Sequence, residues 1–361
     1  MQILWSCGEK PTEGTSPQTF DLVMLDSIEV KEIHGFFSRP SSVHLINDTL
    51  IGVESFQNKG IWVIDNRTGQ EVYSILPEEE NGLSFRPTKC YWAEYPKISV
   101  FDGATKRIHN FDFKNEKGKR HINSLILKTP DDLWFKPILM GIFIKKDEYY
   151  YIEHSTSKVP FTSNKYFELT NHLIGIYSSE GEHLKNYVPF PDQLRNLTKF
   201  IGPGKLFTSG QSENGDIYIS FPFTKTISIF DSSNLDKSAQ LIEYPDSPIF
   251  QFDIPFLETE VDNTIGMLKY YPEAHYFNDF KFDQDGFVLQ SIMKDEENTL
   301  THFLKYDNIE EKWSESSSTS NLLNLGELAG IKNDTLIFVE ASLINTDKKF
   351  IKRAILRPIE E

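Results

Sequence analysis

Cysteine is nearly absent from this chain: 361 residues contain two, Cys7 and Cys90. Two thiols cannot build a disulfide framework, and without a CxxC or Cys/His spacing they do not suggest zinc. Long apolar runs are missing as well. Stretches such as Ile138 to Ile144 fall far short of the ~18 residues needed to span a bilayer. Positive charge is scarce, with 37 basic against 53 acidic residues and a net charge of −16 spread along the chain. A field of that sign repels phosphate backbones, so no nucleic-acid partner is expected. Motifs of catalysis and metal binding are absent too. None of the nine histidines forms HExxH. Asp283-Gln284-Asp285-Gly286 opens like a calcium loop, but Lys294 stands where the closing Glu is required, and a hairpin turn is expected instead. Gly210 to Asn214 lacks the second glycine of a nucleophile elbow, and Gly204-Lys205 lacks a phosphate loop before it. No catalytic residue, metal or cofactor is expected.

What the chain has is aromatic and β-branched. Aromatic residues make up 13% of it, in short runs rich in Ile, Val, Phe and Tyr that are cut by Asn, Asp, Gly and Pro. That pattern indicates an all-β domain, with Cys90 inside one of its strands as a buried thiol. Asn-Asp-Thr-Leu-Ile-Gly-Val-Glu at 47–54 returns as Asn-Asp-Thr-Leu-Ile-Phe-Val-Glu at 333–340, seven of eight residues matching across 286 positions. Such a match near both ends of a chain points to repeated units. Around the first copy, Ser42 to Ile46, residues 47–54, Ile61 to Asp65 and Glu71 to Leu76 make four short strands, the unit of a propeller blade. The third strand carries an anchor, apolar-x-x-[Ile/Phe/Tyr]-[Asp/Ser], at Ile61, Ile108, Ile174, Ile227 and Phe303 and more weakly at Ile351; the five intervals average 58 residues. The reading is a six-bladed β-propeller over residues 20–361. Its last blade runs out of chain after Leu356, while Phe20 to Glu32 forms an orphan strand. The N-terminal strand is expected to complete the sixth blade and close the ring, because an open ring leaves exposed sheet edges.

Loop lengths separate the two faces of such a ring. Turns between first and second strands are tight, as at Asn47-Asp48, Asn214-Gly215-Asp216 and Asn333-Asp334. The opposite face carries the long connections, His154 to His172 and roughly Tyr244 to Tyr276. Long loops on a rigid scaffold commonly hold binding sites, so ligand binding is expected there. Trp134, Phe135, Tyr270 and Tyr271 lie on that face as candidates for stacking on sugar rings, and His154 with His172 as a candidate pair. Arg39, Arg86 and Lys136 precede the innermost strands of the first three blades, and Lys205 and His275 take the equivalent slots in the next two. Together they form a basic ring suited to a carboxylate-bearing ligand. Glu54, Glu153 and Glu340 end their second strands on the same face. They either share that site or pair with the ring to staple blades together.

With its strand anchors, Asn-Asp-Thr-Leu turns and Leu4-Trp5-Ser6-Cys7 start, the chain resembles the six-bladed, TolB-like β-propeller lipoproteins of Gram-negative envelopes. The resemblance implies a periplasmic or cell-surface location and a binding role, with an envelope protein or a glycan as partner. It also implies lipidation at Cys7, with residues 1–19 as signal remnant and polar tether. The function expected is non-enzymatic binding of an acidic glycan, peptide or protein partner. The competing expectation is a polysaccharide lyase or glycosidase working through Glu54, Glu153 or His275.

Overall fold

The computed structural model describes residues 17–31, 40–55, 58–77, 80, 82–135, 141–160, 163–201, 207–234, 237–250, 256–257, 275–294, 299–340 and 348–359. Four of its sheets are antiparallel meanders of four strands each. The first runs Ser42–Leu45, Leu50–Ser55, Gly60–Asp65, Glu71–Ile75. The second runs Lys89–Tyr91, Lys97–Asp102, Arg107–Asp112, His121–Ile126. The third runs Phe143–Lys146, Tyr149–Glu153, His172–Ser178, His183–Pro189, and the fourth Thr208–Gln211, Ile217–Phe221, Thr226–Phe230, Gln240–Glu243. Every strand anchor found in the sequence falls on the third strand of a meander. Each tight turn named above joins a first strand to a second, including Asp283-Gln284-Asp285-Gly286, where Asp283 pairs with Gly286 across a two-residue hairpin.

Nine further strands form one sheet, where the sequence leads one to expect two separate ones, and two short pairs, Leu133–Trp134 with Ser155–Thr156 and Phe200–Ile201 with Phe256–Leu257, stand apart from it. It contains the meander His275–Asp283, Gly286–Lys294, Thr299–Asp307, Lys312–Ser316 and the meander Glu327–Lys332, Thr335–Glu340, Phe350–Pro358. The N-terminal strand Gln18–Glu29 joins the two. On one side it pairs antiparallel with Phe350–Pro358, from Phe20 opposite Pro358 to Glu29 opposite Phe350. On the other, Gln18 to Phe20 pair in parallel with Ser314 to Ser316. That parallel pairing fuses the sheets, because the strand starts at Gln18 rather than Phe20 and its first residues reach the neighbouring edge. Asp26 and Arg353 face each other across the antiparallel seam in a bidentate ion pair of 2.8 and 2.5 Å.

Apolar side chains collect between neighbouring sheets instead of in one central core. Val43, Val53 and Trp62 of the first sheet pack with Ile337, Val339 and Ile351. Its other face, through Ile61 and Val63, meets Ile98, Val100 and Phe111 of the second. The same layering continues from second to third, third to fourth and fourth to nine-stranded sheet. Phe20 enters the last layer beside Phe303, Leu328 and Phe338. A second contact between sheets repeats where the outermost strands end. Lys31 N donates to Gly69 O at 2.7 Å and Lys128 N to Gly181 O at 2.8 Å, each glycine lying in the next sheet's last turn. Both glycines have positive φ, and a Cβ there would lie 2.1 and 2.3 Å from the carbonyl oxygens of Glu29 and Ile126. Only glycine suits both demands.

Removing residues 18–29 is expected to abolish the cooperative thermal transition, because two sheet edges and the Phe20 pocket are opened together. Differential scanning calorimetry and light scattering test this. A truncated chain that stayed monomeric and melted cooperatively would show that the seam is dispensable.

Candidate functional site

The first strand of each meander faces a common channel, lined by segments 44–48, 89–94, 143–147, 209–215, 279–284 and 329–333. Its volume is about 640 Å³, and it opens on the side of the tight turns. Ligand pockets commonly span roughly 300–1,000 Å³. Its lining includes a cluster of charged side chains that reach in from different sheets. Lys89 Nζ lies 3.7 Å and Lys281 Nζ 3.8 Å from Asp279 Oδ2. Lys89 also donates to Ser42 Oγ at 3.2 Å, and that hydroxyl is 2.7 Å from His44 Nε2. Lys281 donates to the Val43 carbonyl oxygen at 2.8 Å. These contacts tie the first, second and nine-stranded sheets together at the channel floor.

Beneath this floor lies a fully buried carboxylate. Glu54 Oε1 accepts from Trp92 Nε1 at 3.0 Å and lies 3.4 Å from His44 Nε2. Burial alone would raise the Glu54 pKa, but the bond to His44, the Lys89 charge and the Trp92 N–H together hold it below the ordinary carboxylate value. Burial likewise penalises the Lys89 ammonium, and the Asp279 and Glu54 carboxylates outweigh it, raising its pKa. Lys281 goes the other way. Burial lowers it, Asp279 offsets only part of that, and the Lys89 charge lowers it further, to about 8. Cys90, buried beside Glu54, is pushed well above the usual thiol value, chiefly by burial; an inert core thiol results.

Gly52 gives this arrangement its space. A Cβ at that position would lie 2.6 Å from the Trp92 ring. Gly52 is also the one residue at which the twin octapeptides differ, with Phe338 in the other copy. In the first sheet the second strand makes room for the indole of the next; in the last, Phe338 fills the same place and packs on Phe303.

Around the channel mouth, lysines bridge adjacent meanders. Lys145 Nζ holds both oxygens of Glu94 at 2.7 Å. Lys305 pairs with Asp334 at 2.6 Å, and Lys332 pairs with Asp48. Stapling by ion pairs, expected on the loop-rich face, is thus present on the tight-turn face.

The residues singled out in the sequence are distributed differently from this cluster. Arg39, Lys136, Lys205, Cys7, Tyr270 and Tyr271 lie outside the described residues. His275 begins a strand opposite Met293. Arg86 is exposed, and its backbone N–H donates to Asp102. Glu153 is buried and accepts from Gly141 N at 2.6 Å. Glu340 pairs with Lys352 of its own sheet at 2.6 Å. Of the described ones only Glu54 belongs to the channel cluster. Phe135 is core, edge-on to Phe101 at 5.0 Å, while Trp134 donates to the Thr156 carbonyl. His154 and His172 do meet, but through the His154 ring nitrogen and the His172 carbonyl oxygen at 3.1 Å. Among the described residues no group of three or more His, Cys, Asp or Glu is placed to hold a metal, and no helix is long and apolar enough to cross a membrane.

No family model and no curated protein matches the chain. Solved structures do. A protein of Bacteroides fragilis named as exported superposes with a TM-score of 0.51 at 10% identity, over 94% of this chain and 96% of that one. Four-stranded meanders around one channel, with apolar layers between them, settle the architecture. The chain is a β-propeller. PQQ-bound aldose sugar dehydrogenase from Streptomyces coelicolor superposes on this propeller at a TM-score of 0.46 and 14% identity, covering 94% and 99% of the two chains. BamB from Moraxella catarrhalis reaches 0.38 at 10% identity, covering 92% and 99%.

Gly52→Ala is expected to displace Trp92 and destabilise the propeller by about 1–3 kcal/mol, the range for overpacking a filled core. Urea denaturation reads this; an unchanged midpoint would show that the indole has room to spare. A second expectation concerns acid. His109, His154 and His302 are buried, and burial pulls each pKa down to about 4 from the usual 6.5. Between those values the unfolded chain binds more protons than the folded one, so stability falls as pH drops from 6.5 toward 4. A tenfold change in proton affinity corresponds to about 1.4 kcal/mol. Urea midpoints should therefore drop steeply across this window, and a flat profile would contradict neutral burial of these imidazoles.

Proposed function

We propose that the chain is a non-enzymatic, six-bladed propeller of the cell envelope that binds a small acidic ligand, a glycan fragment or short peptide, in its central channel. The nine-stranded sheet then counts as two blades joined edge to edge where Gln18 to Phe20 meet Ser314 to Ser316. One observation carries the binding reading: a channel of about 640 Å³ has the neighbouring ammonium groups of Lys89 and Lys281 in its lining. Among the described residues each donates one hydrogen bond to an uncharged oxygen and shares the Asp279 carboxylate, while an ammonium has three donors to offer. Glycosidase chemistry through Glu54 or Glu153 fits less well, since both carboxylates are sealed from solvent at 0% and 1% exposure. The fold-related Bacteroides fragilis protein is named as exported, and Leu4-Trp5-Ser6-Cys7 would supply a lipid anchor for the same compartment. A second reading seats the ligand on the loop-rich face around Arg39, Arg86 and Lys136; Arg86 is exposed there.

Thermal shift and calorimetric titration with oligoglucuronides and acidic tripeptides separate these readings. Channel binding predicts at least one saturable ligand, with affinity lost in Lys89→Met and kept in Arg39→Ala/Arg86→Ala/Lys136→Ala. The reverse pattern would move the site to the loops, and no saturable ligand from either class would sink both.

A further inference from the structure

The charged floor of the channel contains one amine unlike an ordinary lysine. Lys281 Nζ is fixed by its hydrogen bond to the Val43 carbonyl and borders the open channel. It shares Asp279 Oδ2 with the Lys89 ammonium, and Glu54 and Glu327 also act on it through their charges. A lysine desolvated next to a second cation is the arrangement that turns an amine into a nucleophile near neutral pH. We propose that Lys281 captures small carbonyl compounds, such as aldehydes and open-chain aldoses, as reversible imines inside the channel. This rests on the channel being a ligand seat and adds the covalent chemistry that one residue performs there.

The step balances with the groups present. The neutral amine donates one N–H to Val43 and presents its lone pair to the carbonyl carbon. A C–N bond forms, and the C=O π pair moves onto oxygen. Asp279, 3.8 Å from Nζ, accepts the proton that nitrogen loses. Lys89, on the same carboxylate oxygen at 3.7 Å, is the acid that protonates the departing hydroxyl. Asp279 passes its proton to the alkoxide oxygen, which makes the carbinolamine hydroxyl; once water has left, the second N–H proton returns to Lys89 and C=N remains. One aldehyde and one amine give one imine and one water, with no oxidant or reductant. At the Lys281 pKa of about 8, roughly a tenth of the amine is neutral at pH 7, against well under a thousandth for an unperturbed lysine.

Glycolaldehyde with sodium cyanoborohydride, which reduces an imine to a stable hydroxyethyl amine, tests this on the full-length protein by peptide mass spectrometry. Lys281 should be labelled at pH 7.5 at doses that leave exposed lysines such as Lys119 untouched, with a rate that rises through a midpoint near pH 8. Lys89→Met removes the cation that lowers the amine's pKa. The pKa rises, less of the amine is neutral at pH 7.5, and labelling slows. Labelling of Lys281 no faster than of Lys119 in the wild-type protein would overturn the proposal. So would a rate in Lys89→Met equal to or above wild type. Saturable binding of an oligoglucuronide that survives in Lys281→Met, with no selective adduct in wild type, would leave the ligand seat standing and remove only the imine.

Discussion

The structure depends on the pairing of its two ends. In an array of meanders each sheet buries its faces against its neighbours, but the first and last units have neighbours only if the ring is complete. The strand at Gln18–Glu29 meets that requirement from the N-terminus, setting nine residues in register against Phe350–Pro358 and inserting Phe20 into the layer between the last sheets. The Asp26–Arg353 pair fixes that register from the solvent side. Everything at the channel inherits its geometry from this closure. Lys281 reaches the Val43 carbonyl, and Lys89 reaches Asp279, only because the sheets that carry them are held at a fixed distance around one axis.

Much of this architecture was legible in the sequence because strands announce themselves by alternation and turns by residue type. The Ile61-to-Asp65 anchor recurs on every third strand, and Asn-Asp or Asp-Gly marks the tight hairpins. The lone N-terminal strand and the missing fourth strand of the last meander could be matched by counting. The fused sheet was not legible. It arises from Gln18 and Thr19, polar residues with no apolar pattern, that extend a strand to an edge whose position only the folded chain defines.

The site was harder to read, for a physical reason. Arg39, Arg86 and Lys136 drew notice through their repeated position, whereas the channel cluster repeats in no blade. Lys89, Asp279, Lys281 and His44 converge from different sheets, and a one-dimensional pattern carries no record of such convergence. One signal was present: in Asp279-Phe280-Lys281-Phe282-Asp283 charge and aromatic alternate with period two, the mark of a strand with one face in the core and the other in a polar interior. Trp92 and Gly52 could have been linked only by knowing that the glycine's missing side chain is the space the indole occupies.

The seam also sets an order of events. Its two strands are about 330 residues apart in the chain, and closing so long a loop is thermodynamically mild, since each doubling of length adds only about 0.6 kcal/mol. The demand is one of timing. Contacts of such sequence separation form late, so in a chain made from its N-terminus the first strand waits unpaired until the last has been synthesised. Throughout that interval the partly folded ring has an open edge, and the strand that will cover it is already present.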